Sequence, residues 1–287
     1  MTIDYVVPMI FPEDKKWQAQ LDTIRQYREK ATNEVRYRSW GTEQLLVRCV
    51  RKNMHWIRDI IIILSGPSQV QDWMYGEKVR IVFHSDFMPI ETLPTFNSRA
   101  IEMYLHRIPG LADYFLYGND DMFPLMPLQE SDFFRDGLPC LHYTHKTFNP
   151  SNAFHQACMN GLNFVAAEFG RHFEDYWLRV GHNVVPMLRS TCEMFWDRWP
   201  KKMQASVTPF RRSQNYNQYI YSWWQILSGQ YVDYRTPRGY VSTKNTVEEI
   251  RDAIRNAQGL LCINDTDAVN DITNLAAMVR KEIQHRL

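Results

Sequence analysis

Glycine is scarce in this chain, 12 residues in 287, and the familiar glycine-dependent phosphate cradles are missing with it. There is no Gly-x-x-x-x-Gly-Lys-Ser/Thr loop and no Gly-x-Gly-x-x-Gly turn, so any phosphate must be met by cationic side chains or a metal. No Gly-x-Ser-x-Gly elbow is present, which removes the serine-hydrolase reading. Charge of one sign is also lacking: 33 basic residues face 32 acidic ones. A nucleic-acid binder needs a basic excess, so that partner is not expected. The longest strictly aliphatic run is Ile60 to Leu64, far short of the roughly 20 apolar residues that cross a bilayer. The start, Met1-Thr2-Ile3-Asp4-Tyr5, lacks the basic region and apolar run of a secretory signal. Cysteines number five, at irregular spacing, which fits free thiols in a reducing compartment. A soluble cytoplasmic protein is expected.

What is present is an apolar share of 45% and a high aromatic share of 14%, enough for a sizeable core. Ile3–Ile10, Ile57–Leu64, Val79–His84, Tyr114–Tyr117 and Gly259–Ile263 read as strands; the β-branched run before Leu64 suits a sheet covered on both faces. Trp17, Leu21, Ile24 and Arg28 share one side of a predicted helix, and Leu45, Leu46, Cys49 and Val50 mark another, with Thr42 as its cap. Asn97 or Ser98 caps a third helix carrying Ala100, Ile101, Tyr104 and Leu105. Pro139–Pro150 reads as a loop excursion, with helices predicted over 153–169, 186–199, 216–228, 247–257 and 272–283. The expected fold is α/β: a Rossmann-like, mostly parallel central sheet flanked by helices. One domain over 1–287 is expected, with a mainly helical insertion around 140–240.

Three predicted strands run straight into polar residues: Asp86 after the third, Asp120 and Asp121 after the fourth, Asn264 and Asp265 after the last. In open α/β sheets ligands bind outside the carboxyl ends of the strands. If these strands are parallel neighbours, Asp120, Asp121, Asn264 and Asp265 meet in one crevice and suit a hard cation such as Mg²⁺. The plainer alternative is that each Asp caps the turn it begins. Cys140-Leu141-His142-Tyr143-Thr144-His145 raises zinc, but no second Cys/His pair stands nearby to complete four ligands.

Longer motifs carry a specific resemblance. They begin with Arg48 and Lys52-Asn53-Met54-His55-Trp56-Ile57-Arg58. Leu93-Pro94-Thr95-Phe96-Asn97-Ser98, Ile101-Glu102 and Leu105-His106-Arg107-Ile108-Pro109-Gly110-Leu111 follow. Phe115-Leu116-Tyr117-Gly118-Asn119-Asp120-Asp121-Met122-Phe123 completes the block, which resembles the central conserved region of the Stealth family. His182 with Pro186–Thr191, Phe210-Arg211 with Asn217-Gln218-Tyr219, and Cys262–Thr266 resemble its later regions. The resemblance spans about residue 3 to residue 270.

Stealth proteins include capsular and exopolysaccharide hexose-1-phosphate transferases and the animal enzyme that builds the mannose-6-phosphate tag. The resemblance implies transfer of a hexose 1-phosphate from a UDP-sugar to a hydroxyl of an oligosaccharide or lipid-linked glycan acceptor, with release of UMP. It implies catalytic roles for Glu102, Asp121, His182 and Arg211. Asp120, Asp121, Asn264 and Asp265 would hold Mg²⁺ or Mn²⁺, and Asn97, Ser98, Arg107 and Asp14 would support substrate. Arg211 can fork two hydrogen bonds onto phosphate, and a histidine can accept the hydroxyl proton. Which of Glu102 and His182 is the base stays open. A lipid-linked acceptor would place the reaction at the inner face of the cell membrane. Two departures stand out. Phe11 replaces the first acid usual after the first strand, leaving Asp14, and Asn215 stands where many bacterial relatives carry an acid. A conventional metal-dependent UDP-sugar glycosyltransferase and an inactive carbohydrate-binding homologue are the alternatives.

Overall fold

A computed structural model describes residues 1–27, 37–266 and 271–287. Arg28, assigned above to the first helix, lies outside the described residues. In chain order the first elements are β1 (Ile3–Pro8), α1 (Lys15–Tyr27), α2 (Glu43–Asn53), β2 (Ile60–Leu64), β3 (Val79–Phe83), α3 (His84–Phe87), α4 (Ser98–Tyr104), β4 (Tyr114–Tyr117) and β5 (Met122–Pro124). Then come β6 (Phe134–Arg135), β7 (Leu138–Leu141), β8 (Thr144–Thr147), α5 (Ala153–Ala166), β9 (Tyr176–Arg179), β10 (Val185–Leu188), α6 (Arg189–Arg198), α7 (Pro200–Ala205) and α8 (Tyr219–Leu227). The chain closes with β11 (Val232–Asp233), β12 (Arg238–Ser242), α9 (Val247–Arg255), β13 (Leu260–Asn264) and α10 (Ile272–Arg286).

The central sheet has the order β10-β4-β1-β2-β3, in which β4, β1, β2 and β3 run parallel and β10 runs antiparallel to β4. The expected mostly parallel α/β sheet is borne out. Its strands alternate between two cores because successive side chains point to opposite faces. Ile3, Tyr5, Val7, Ile60, Ile62, Leu64 and Leu116 face one side. Val6, Ile61, Ile63, Phe115 and Tyr117 face the other. The first core is closed by Leu46 and Val50 of α2, Ile250 and Ile254 of α9, and Val279 and Ile283 of α10. The second is closed by Met103 and Tyr104 of α4, Leu162 and Val165 of α5, Phe195 of α6 and Trp223 of α8. Trp223, 0% exposed, donates its indole N–H to the Leu178 carbonyl at 2.7 Å and is a core residue.

A second sheet, β12-β13-β5, lies beside the first, with β13 parallel to β12 and antiparallel to β5. Two expectations change here. Pro139–Pro150 is not a loop, since it holds β7 and β8, the latter paired antiparallel with β9. The helix expected over 186–199 begins only at Arg189, and Val185–Leu188 is an edge strand in which Pro186 pairs with Leu116. Proline is tolerated there because an edge strand has N–H groups with no partner to lose. The segment 140–240 therefore carries α5 to α8 and also returns a strand to the central sheet. Among the described residues no helix is long and apolar enough to cross a membrane.

Candidate active site

The carboxyl ends of β1, β2, β3, β4 and β13 open on a pocket of about 370 Å³. Asp120, Asp121, Asn264, Asp265, His182 and Arg211 all line it. The premise behind that expectation was wrong in one respect: β4 and β13 are not neighbours but belong to different sheets. They are joined instead through β5, and the Ile263 N–H donates to the Asp121 carbonyl at 2.9 Å, clamping the two acid-bearing loops together. Asp86 does not join them. Its carboxylate caps α3 by accepting the Phe83 N–H at 2.8 Å, at the opposite edge of the sheet.

The β4–β5 turn is built around Gly118, where a Cβ would run into the Tyr5 hydroxyl. Beyond it, Asp121 Oδ2 lies 3.5 Å from His182 Nε2 and 3.5 Å from Cys262 Sγ. Asp121 Oδ1 is buried with no hydrogen-bond partner among the described residues, as is the Tyr5 hydroxyl. Burial, then the Asp121 charge, pushes the Cys262 thiol well above its ordinary value, so it faces the carboxylate as S–H. Asp120 beside them is pushed up to about 8, first by burial and then by the charges of Asp121, Glu43 and Asp265. Carboxylates crowded this closely repel, and a divalent cation relieves that repulsion. The orphaned Asp121 oxygen, with the His182 imidazole and the Cys262 sulfur beside it, makes a cluster that could hold a divalent metal ion.

Asp265 is already partnered. Arg38 donates from Nε at 2.9 Å and from Nη2 at 2.6 Å, and the Trp40 indole N–H donates at 3.0 Å. Asn264 donates to the Tyr240 hydroxyl at 3.0 Å. Arg38, Trp40 and Glu43 line the pocket and were missed from sequence, because Tyr37–Trp40 carries no periodicity and ends at Gly41. Thr42 stands at the cap position of α2, but its hydroxyl makes no cap bond. With the fork on Asp265 removed, Arg38→Ala should leave thermal stability unchanged, since the pair is partly exposed. A melting curve would check it, and a clear fall in the melting temperature would make the pair a structural one.

On the facing side, Arg211 Nη2 donates to Ser98 Oγ at 2.6 Å. Asn97 caps α4 by accepting the Arg99 N–H at 3.1 Å. Its own NH₂ donates to the Thr208 carbonyl at 3.0 Å and to Asn215 Oδ1 at 3.1 Å. Asn97 thus stitches the helix start to the loop that presents Arg211. Asn215, at 1% exposure, also accepts the Arg212 N–H at 2.7 Å and donates to the Ser206 carbonyl at 2.8 Å. In this chain it is a loop organiser and does not line this pocket.

Three expected site residues are not brought to the pocket lining. Glu102, 4% exposed, sits one turn into α4 behind the wall, accepting the Gln218 N–H at 2.9 Å and the Tyr117 hydroxyl at 3.3 Å. Burial raises its carboxyl, opposed first by the Gln218 N–H and then by the charge of Arg211. Arg107 points away, its guanidinium 4.7 Å from the Trp196 ring and 5.0 Å from that of Tyr104. Asp14 caps α1 by accepting the Lys16 N–H at 3.0 Å and also holds Ser68 at 2.7 Å. Phe11 is buried, with both backbone polar groups taken by the Gln69 amide. The zinc reading also fails: among the described residues the only metal-type cluster is Asp121, His182 and Cys262, and His142 instead pairs with Asp233 at 3.0 Å.

A mostly parallel α/β sheet with acids, an imidazole and a guanidinium gathered in a pocket at its strand ends has the form of a ligand-binding or catalytic crevice. Residues 36–140 match the family model described as Stealth protein CR2, conserved region 2. The chain carries that region, and the Stealth resemblance is borne out. It is 28% identical to the receptor polysaccharide phosphotransferase WefC of Streptococcus gordonii, covering 94% of this chain and 92% of that one. It is 27% identical to the exopolysaccharide phosphotransferase cps2G of Lactiplantibacillus plantarum, covering 99% and 94%. These matches place the chain among transferases. Among solved structures, the galactosyltransferase LgtC superposes with a TM-score of 0.46 at 13% identity, covering 99% of this chain and 96% of that one, a likeness too slight to argue from.

Proposed function

We propose that this chain, as a single domain, transfers a hexose 1-phosphate from a UDP-sugar to a hydroxyl of an acceptor glycan, releasing UMP, in the synthesis of a cell-surface polysaccharide. The observation that carries the reading is the meeting of Asp120, Asp121 and Asp265 with His182 and Arg211 in one pocket. Phosphoryl transfer is mostly positioning and charge stabilisation, and this set supplies both. The oxygens of Asp120, Asp121, Asn264 and Asp265 would hold Mg²⁺ or Mn²⁺, which when bound neutralises pyrophosphate charge.

Arg211, steadied by Ser98, faces the phosphate that is transferred. His182 takes the proton of the acceptor hydroxyl, and Asp121 at 3.5 Å holds its imidazole and stabilises the cation that forms. The attacking oxygen bonds to the sugar-bearing phosphorus while the bridging P–O bond breaks and UMP leaves. Glu102 is a positioning residue in this scheme, because its carboxylate is buried against Gln218 and Tyr117 behind the wall. The donor and a glycan acceptor are the partners, the latter lipid-linked or free; in the first case the enzyme works at the inner face of the cell membrane. Incubation with a panel of UDP-sugars and Mg²⁺, and chromatography of the nucleotide released, tests the reaction. UMP supports it, UDP would convert the enzyme into a glycosyltransferase, and binding without turnover would make it a carbohydrate-binding homologue.

A further inference from the structure

Ion pairs among the described residues leave many lysines and arginines out, and four of these gather in one place. Lys146 on β8, Arg179 on β9, Arg235 and Arg238 form no ion pair among the described residues. Lys146, Arg179 and Arg235 are exposed, and Arg238 is half-buried. In the β8–β9 ladder Arg179 stands opposite Thr144, two residues from Lys146 on the same face, and Arg238 reaches the Val180 carbonyl next to Arg179. Burial and then the charge of Arg235 lower the Arg238 guanidinium from its ordinary value, with Arg179 adding to the effect. Burial and then Lys146 and Arg179 lower His155 in the same way. The nearby carboxylate of Asp233 is turned to His142.

The cluster begins where the pocket ends. Arg238 donates to the Val180 carbonyl at 2.9 Å and lies under Gly181, where a Cβ would come within 3.3 Å of its guanidinium. Gly181 has φ +97°, a conformation that glycine adopts readily. The next residue is His182, at the pocket. Two residues beyond Arg238, on the same face of β12, the half-exposed Tyr240 receives the hydrogen bond of pocket-lining Asn264. A chain of contacts therefore runs from the acids, past the imidazole and a half-exposed aromatic ring, to Arg238 at the edge of the cluster.

We infer that Lys146, Arg179, Arg235 and Arg238 form an acceptor subsite for a phosphate group carried by the glycan whose hydroxyl reaches His182. This rests on the proposed reaction, in which His182 receives the acceptor. Guanidinium forks match phosphate oxygens, and cations outside ion pairs need no carboxylate displaced. A phosphate can come from a phosphodiester already in the glycan or from the diphosphate that ties a glycan to a lipid.

The test is binding without turnover. The full chain, with UMP and Mg²⁺ added to occupy the donor pocket, is titrated with three probes. These are a fluorescent phosphodiester-linked oligosaccharide, its neutral glycosidic counterpart, and vesicles carrying farnesyl diphosphate. Exposed Arg179 and Arg235 are changed together to Glu and, as a gentler pair, to Gln. The expected result is a loss of at least about tenfold in affinity for one anionic probe in the Glu pair, less in the Gln pair, and none for the neutral probe. The anionic probe that responds names the source of the phosphate. Equal affinities in wild type and both variants, or an equal loss for the neutral probe, would overturn the subsite. Release of UDP in the nucleotide test would overturn the reaction while leaving this measurement readable.

Discussion

Asp121→Asn should lower turnover by about a thousandfold while leaving the melting temperature equal or slightly raised. The substitution keeps shape and removes one charge from a place where two things depend on it. His182 loses the carboxylate 3.5 Å from its Nε2 that would stabilise an imidazolium. The site loses the carboxylate whose Oδ1 is buried without a partner, so a divalent ion would be held more weakly. Preorganised charge at a reacting phosphate is worth several kcal/mol in such sites, which sets the scale of the loss. Stability should move the other way. Asp121 Oδ1 is buried without a partner, and Asp120 is raised partly by the charge of Asp121, so the native fold carries this carboxylate at a cost. If His182 and Asp121 act as one unit, adding His182→Ala should cost little more than either change alone. Turnover within tenfold of wild type in Asp121→Asn, measured by nucleotide release at saturating Mg²⁺, would remove this aspartate from the chemistry.

Which parts of this site a sequence can announce follows from how each residue is held. Asp121 and Asp265 were legible because they end apolar strands, and a strand that stops at a carboxylate in an α/β sheet points it at the crevice. Asp86 obeys the same rule and belongs elsewhere, since β3 forms the far edge of the sheet and its acid serves a helix cap. Strand order was the missing quantity, and local pattern does not contain it. The covered sheet was readable in Ile60–Leu64, where a continuous β-branched run leaves no solvent face. The edge strands were not. Val185–Leu188 contains a proline and Arg238–Ser242 a glycine, both of which lower strand propensity in ways that only an edge position forgives. Arg38 and Trp40 reach Asp265 across more than two hundred residues of sequence, so nothing local could signal them. Glu102 shows the converse case. The motif that contains it was read correctly, yet the helix turns its carboxylate into the wall, where it orders Gln218 and Tyr117.

Acidification from pH 6.5 to pH 4 should remove several kcal/mol of stability through two buried histidines, and His106→Phe should abolish about half of that loss. Burial holds His84 down to about 4. Burial, then the charges of Arg107 and Arg189, holds His106 down to about 4 as well. Both are neutral in the fold, whereas the unfolded chain binds their protons near 6.5. Their contribution is therefore present in full above pH 6.5 and is lost as pH falls toward 4, at roughly 3 kcal/mol for each histidine. Two carboxyls act in the opposite sense. Glu102 is raised, and Asp120 stands at about 8, so their protonation favours the fold at low pH and that contribution fades as pH rises through their folded values. The total curve mixes the two, which is why the variant is needed. His106 lies off the pocket, beside the Trp196 ring at 6.1 Å, and its Nδ1 has no hydrogen-bond partner among the described residues. Phenylalanine keeps a ring there and removes the titration. Urea unfolding at a series of pH values, without added divalent ions, should give a difference between His106→Phe and wild type that is constant above pH 6.5 and grows by roughly 3 kcal/mol by pH 4. Parallel curves down to pH 4 would mean that His106 gains its proton inside the fold, and the loss would have to lie with His84 alone.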